Sequence, residues 1–313
     1  MCQATSTVHS PVVGGPVITH GHAASQLHAS KYVPFSFHGS AIGGLLIEWI
    51  TSLPLFCCQV DMALDPQGTI IVTGASRGIG AATARLAAAR GFAVAVNFVR
   101  DQAAADSVVT GIVSAGGRAC AIQADVGFEA DILRLFETAE RKLGPIRALV
   151  NNAAVTGGLC RVEAVTAAQL EELFRVNVTG TILCSREAVR RMSTAHGGAG
   201  GAIVNVSTIA TRIGSAGEWV HYAASKGAID TFTLGLAREV AREGIRVNAV
   251  APGLVETGLH AAAGVPDRPQ RLAPTIPMQR AGSPDEIAEA ILWLLSPAAS
   301  YVTASILEVG GGR

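Results

Sequence analysis

From Thr69 onward the chain alternates short β-branched runs with Ala-rich stretches long enough for a helix, and no other feature narrows its fold so far. The runs are TIIVT (69–73), AVAVN (93–97), RACAIQA (118–124), RALVN (147–151), GAIVNVS (201–207), IRVNAV (245–250) and ASILEV (304–309). A strand that is apolar along its whole length, not only at alternate positions, has both faces covered. Strand and helix in alternation deliver successive strands in one direction, because each helix carries the chain back across the sheet. The pattern predicts an α/β protein: a single doubly wound, Rossmann-type domain over residues 66–313, built on a mostly parallel seven-stranded sheet. One helix start is explicit in SPDE, where Ser283 caps, Pro284 takes the first helical position and Glu286 closes a capping box.

Residues 1–65 break this pattern. The first 60 residues hold one acidic residue (Glu48), one lysine (Lys31), no arginine and five of the eight histidines, with no sustained period. The apolar piece AIGGLLIEWITSLPLFCCQV approaches the length of a bilayer span, but Glu48 and Pro54 interrupt it and no basic cluster flanks it, so no membrane span is expected. The irregular histidine spacing in a Ser/Gly-rich setting points away from a metal site and toward a disordered or non-native extension, with MALDPQG from Met62 as a natural beginning. Lys+Arg and Asp+Glu balance at 24 each, and no long basic run suggests nucleic acid or an anionic membrane as partner. The six cysteines show neither a CxxC pair nor zinc spacing; they read as reduced, small apolar residues of a cytoplasmic protein.

The first run leads directly into TGASRGIG (73–80). Gly74, Gly78 and Gly80 allow a tight turn, close approach of a pyrophosphate and tight packing of the next helix, whose N-terminal amides then face the phosphates. A strand before and an Ala-rich helix after supply the context that a dinucleotide-binding loop requires. Further on, HYAASKGAID (221–230) places Tyr222 and Lys226 four residues apart, on one face of a helix. Taken alone, such a pair is more often ordinary packing than catalysis.

Three residues separate Gly74 from Gly78 and one separates Gly78 from Gly80. That spacing, with NNAA (151–154), NVTG (177–180), NVST (205–208), YAASK (222–226) and PGLVET (252–257) in this order, resembles the short-chain dehydrogenase/reductase family, especially bacterial glucose-dehydrogenase-like and 3-oxoacyl-carrier-protein-reductase-like members. The resemblance covers about residues 66–313. It implies an NAD(P)-dependent oxidoreductase interconverting a carbonyl and a secondary alcohol, with Tyr222 as acid/base. Lys226 would favour the phenolate and hold the nicotinamide ribose, and Asn177 would hold a water in a proton relay. The family's usual Ser-Ser appears as Ser207 and Thr208; register favours Thr208 as the hydroxyl that polarises the substrate oxygen, with Ser207 the alternative.

The same resemblance implies cofactor contacts at Gly74, Ser76, Arg77, Gly78, Ile79, Gly80, Asn97, Asp125, Val126, Asn152, Ala153, Tyr222, Lys226, Pro252, Gly253, Val255 and Thr257, and no metal. Where an NAD-specific site places an acidic residue at the end of the second strand, this chain has Asn97 and Phe98, with Arg77 and Arg100 nearby for a 2′-phosphate. NADP is therefore favoured over NAD, although solvated arginines would look the same. Asp125 could equally cap a helix. Residues 257–282 correspond to the substrate-covering lid, in which His260, Pro266 and Met278 are better read as lid packing; Trp219 and His221 are better placed to touch substrate. A homotetramer or dimer is implied. The competing expectation is a catalytically silent dinucleotide-binding sensor or scaffold.

Overall fold

The computed structural model describes residues 68–313; the expectations for the extension at 1–65 lie outside them. All seven runs form strands: β1 (Thr69–Val72), β2 (Ala93–Phe98), β3 (Arg118–Gln123), β4 (Ile146–Asn151), β5 (Gly201–Val206), β6 (Ile245–Pro252) and β7 (Ile306–Val309). They make one sheet in the order β3-β2-β1-β4-β5-β6-β7. Every pairing is parallel, so the expected mostly parallel sheet is wholly so. Strand β7 starts two residues later than its apolar run, because Ala304 adopts a left-handed φ of 59° that no strand accommodates.

The helices are α1 (Gly78–Ala89), α2 (Gln102–Ser114), α3 (Glu129–Leu143), α4 (Ala167–Phe174), α5 (Thr181–Met192), α6 (Ala210–Ile213), α7 (Val220–Val240), α8 (Gly258–Ala262), α9 (Arg268–Leu272) and α10 (Pro284–Leu295). Alternate strand residues point to opposite faces, and each face builds its own core. Ile70, Val72, Val94 and Val96 pack beneath α1, α2 and α10 through Ala84, Val108 and Ile291. Ile71, Ala95, Leu149 and Ile203 pack against α3, α5 and α7 through Leu135, Ala188 and Ala237. This is the double winding that continuous apolar strands predicted. The capping box expected at the start of α10 is complete, with Ser283 and Glu286 each accepting from the other's backbone amide.

Two features were not visible in the runs. A π-helical turn over Arg175–Gly180 joins α4 to α5, and two short helices, α8 and α9, fold the lid region between β6 and α10. Among the described residues, no helix is long and apolar enough to cross a membrane, and no cluster of ligating side chains could hold a metal ion.

Candidate active site

The sheet order reverses between β1 and β4, and the chain leaves the C-terminal ends of those two strands in opposite directions. In an open parallel sheet this leaves a crevice where ligands bind. The glycine loop forms one lip of it. Gly74 has φ +62°, and a Cβ there would lie 3.0 Å from the Ala153 backbone. A Cβ on Gly80 would come within 2.6 Å of the Asn152 side-chain amide and collide with the Gly74 carbonyl. Only glycine at this point lets α1 begin so close to the turn. No side chain caps α1 at Arg77, so its first amides are left without a side-chain partner, as a pyrophosphate would require. Ser76 and Ile79 are half-buried along this lip, and the Arg77 side chain is exposed.

The other lip is the end of β4. Asn152 donates through its side-chain amide to the carbonyls of Thr73 and Gly74, while the backbone amides of Asn152 and Ala153 donate to the Thr73 hydroxyl. Thr73, not singled out from the sequence, thus ties the two sides of the crevice together. Its signal was there in principle: a hydroxyl at the last position of the apolar run, fully buried.

Asn97, expected among the cofactor contacts, is completely buried. Its Oδ1 accepts from the Gly74 amide at 3.1 Å, and its Nδ2 donates to the carbonyls of Ala124 at 2.9 Å and Ile122 at 3.3 Å. All its strong bonds are spent on fastening the glycine loop to β3, so any influence on cofactor is indirect. Asp125 is corrected in its alternative role: α3 is capped at Phe128, not by Asp125. Asp125 accepts from the Gly127 amide and faces Arg175 at 3.6 Å, at the crevice edge. Val126 is buried, with its carbonyl against Gly180 of the π-helical turn. From the end of β6, Pro252, Gly253 and Val255 lead to Thr257, which caps α8; its methyl would touch a Cβ placed on Gly78. The structure therefore brings the residues of the glycine loop, NNAA and PGLVET to one crevice.

Tyr222 and Lys226 lie on the first turns of α7, both deeply buried, at 8% and 2% exposed. Helix α7 is bolted to the end of β5. Lys226 Nζ donates to the Val206 carbonyl at 2.6 Å, and the Ser207 hydroxyl donates to Asp230, one turn beyond Lys226. Ser207 therefore faces away into the sheet–helix seam. Thr208 is half-buried, its hydroxyl accepting from the Ala210 amide and donating, at a long 3.4 Å, to the Pro252 carbonyl. Opposite faces for successive residues are what an extended chain dictates. Asn177 in the π-helical turn is fully buried; its side chain exchanges bonds with both backbone groups of Val155 and donates to Ser225 on α7. It locks the loop after β4 to the helix that carries Tyr222.

Electrostatics differ from the expectation that the ammonium would lower the phenol. Burial pushes Tyr222 up to about 12. Burial also pulls Lys226 down to about 8, with the Asp230 carboxylate acting in the opposite direction. Desolvation outweighs charge here because both groups are enclosed and the lysine is drawn to a backbone carbonyl. The phenol is consequently held protonated at neutral pH, the form able to give a proton to a carbonyl oxygen. Asp230 was missed in the sequence, although Tyr222, Lys226 and Asp230 follow one another at four-residue intervals.

Above Tyr222 sits a wall from three elements. The Trp219 ring lies edge-on to Tyr222 at 6.3 Å and is stacked with His260 of α8 at 6.2 Å. Arg268 of α9 lies 4.5 Å over the Trp219 ring and pairs with Glu218 at 2.5 Å. Arg268 carried no signal in the sequence because its partners are about 50 residues away. His260 is buried in the lid, whereas Met278 and Pro266 are exposed.

A glycine loop at a strand switch, facing a buried Tyr and Lys on one helix, defines a dinucleotide-dependent oxidoreductase of the Rossmann class. The comparisons agree. Residues 74–313 match the family model described as enoyl-(acyl carrier protein) reductase. The chain is 51% identical over 243 residues to an uncharacterized oxidoreductase, YgfF, of Escherichia coli K12, covering 78% of this chain and 98% of that one. It is 37% identical to the 3-oxoacyl-[acyl-carrier-protein] reductase of Synechocystis, over 77% of this chain and 95% of the relative. A short-chain dehydrogenase of Burkholderia cenocepacia, solved in complex with NADP, superposes with a TM-score of 0.73 at 30% identity, covering 80% of this chain and 98% of that one. The chain belongs to the short-chain dehydrogenase/reductase family of NAD(P)-dependent oxidoreductases.

Proposed function

We propose that the protein interconverts a carbonyl and a secondary alcohol, with Tyr222 as acid/base and Thr208 as the hydroxyl that polarises the substrate oxygen. The observation that supports this reading is the fastening of α7 to the end of β5, with Tyr222 and Lys226 on the helix and Thr208 just past the strand, at the same edge of the sheet as the glycine loop. When bound, the nicotinamide supplies the hydride to the carbonyl carbon, or removes it in the reverse direction. In reduction, the Tyr222 hydroxyl gives its proton to the substrate oxygen as the C=O bond becomes C–O–H. Lys226 lies one turn away, where its ammonium opposes the charge left on the phenol and can return a proton. Ser207, occupied by Asp230, is the less suited of the two hydroxyls.

We assign NADP as the preferred cofactor and NAD as the lesser one. The exposed Arg77 and Arg100 at the mouth of the crevice suit a 2′-phosphate, and the Burkholderia relative was solved with NADP. A cytoplasmic homotetramer or dimer fits the family. The enzyme names of the relatives favour turnover over the silent sensor. The test is oxidation of NADPH and NADH across a panel of ketones, with Tyr222→Phe alongside. Turnover that vanishes in Tyr222→Phe while NADPH binding survives supports the assignment; equal rates in the two proteins would overturn it.

A further inference from the structure

Seven buried side-chain nitrogens lack a hydrogen-bond partner among the described residues, and five of them belong to Trp219, His221, His260 and Arg268. All four side chains are more than nine-tenths buried. They occupy one neighbourhood. Trp219 joins Tyr222, His260 and Arg268 as described, and His221 lies against Gly157 on the loop after β4, beside Leu173. Leu173 packs with Trp219 and Tyr222. An unmet buried nitrogen is costly, so such a concentration beside Tyr222 points to groups that a ligand satisfies.

The kinds of nitrogen specify that ligand. Trp219 Nε1 and Arg268 Nε can only donate. His260 Nε2 lies 3.1 Å from the Val255 carbonyl, so it carries the proton there and leaves Nδ1 an acceptor. The two ring nitrogens of an imidazole such as His221 can between them give and take a hydrogen bond. A wall offering both is met by hydroxyl groups, which give and take hydrogen bonds; a hydrocarbon satisfies neither. The charge of Arg268 is already matched by Glu218 at 2.5 Å, and an incoming carboxylate or phosphate would face that glutamate. Leu173, Val155, Ala263 and Val265 supply the apolar surface for a carbon skeleton.

We infer that the substrate is an uncharged hydroxyketone or polyol, and that Trp219, His221 and His260 read hydroxyl groups beside the reacting carbon. This rests on the carbonyl–alcohol chemistry proposed above. The test uses three ketones of one skeleton with saturating NADPH: cyclohexanone, 2-hydroxycyclohexanone and 4-oxocyclohexanecarboxylate. The hydroxyketone is expected to exceed cyclohexanone in kcat/KM by tenfold or more, and the carboxylate to fall below it. Trp219→Phe and His221→Leu should each shrink the hydroxyketone-to-ketone ratio at least fivefold, whereas a merely structural loss would lower both substrates together. A ratio near one in the native protein, a preference for the carboxylate, or variants that leave the ratio unmoved would overturn the inference. If no ketone is reduced, the proposed chemistry fails separately. The thermal shift of the NADPH complex then decides hydroxyl recognition: greater stabilisation by the hydroxyketone than by cyclohexanone supports it, and equal shifts refute it.

Discussion

Asn97→Asp separates two views of the same residue. If position 97 addressed the adenosine directly, an acidic side chain would bind a 2′-hydroxyl and move preference toward NAD without harm to the fold. The structure predicts a different outcome. Aspartate can still accept from the Gly74 amide, but it has no N–H for the carbonyls of Ala124 and Ile122, now bonded at 2.9 and 3.3 Å in a fully buried position. The Ile122 carbonyl keeps its place in the β2–β3 ladder, but the Ala124 carbonyl loses its 2.9 Å donor; that loss, at about 1–3 kcal/mol, together with a carboxylate in a fully buried site, gives a loss of about 4 kcal/mol. Against a total of about 5–15 kcal/mol for a folded domain, that is severe. At roughly 2–4 °C per kcal/mol for a domain of this size, Tm should fall by about 10 °C. Calorimetry and titration of both cofactors would measure it, with weaker binding of NADPH and NADH alike because the glycine loop loses its tether. A Tm within about 2 °C of the native protein, together with reversed cofactor preference, would refute the reasoning.

Other outcomes follow from the same geometry. Thr208→Ala should lower kcat by about 10²–10³, the usual effect of removing one donor from a developing oxyanion; Ser207→Ala should instead lower Tm by a few degrees and spare most turnover, and the reverse pattern in steady-state kinetics would exchange their roles. In the ligand-free protein Lys226 titrates near 8 against an ordinary 10.5, so the unfolded chain binds the extra proton between those values and stability should rise with pH across that window. Tyr222, held near 12 against 10.0, acts in the opposite sense and removes stability as pH climbs from 10 toward 12. Urea midpoints for the native protein and Lys226→Met should therefore converge between pH 8 and 10; parallel curves would contradict this. Cys184, buried and raised to about 12, should resist iodoacetamide in the native state while half-buried Cys160 is labelled, as peptide mass spectrometry would reveal.

The strands were legible because burial on two faces writes itself as uninterrupted β-branched sequence, and the glycine loop because its turn tolerates few residues. Thr208 and Ser207 could be separated in outline, since successive strand residues must diverge. The attachment of Lys226 to Val206 could not be read, because a backbone carbonyl leaves no mark in sequence. The tether made by Asn97 was hidden for a related reason: its position at a strand end says nothing of which neighbours its amide meets, and the carbonyls it serves belong to β3 and its exit. The Arg268–Trp219–His260 stack joins three segments whose meeting depends on how the lid folds.

The lid leaves and rejoins the sheet side at one place. Val255 and Gly282 form a parallel bridge, with the Gly282 amide donating to the Leu254 carbonyl and the Glu256 amide to the Gly282 carbonyl, both at 2.9 Å. Everything between is an excursion whose two feet stand together, and lengthening such an excursion costs little entropy. Its length can therefore change while the two strand ends that hold it stay where they are, so the sheet edge and the segment above it are separable in sequence.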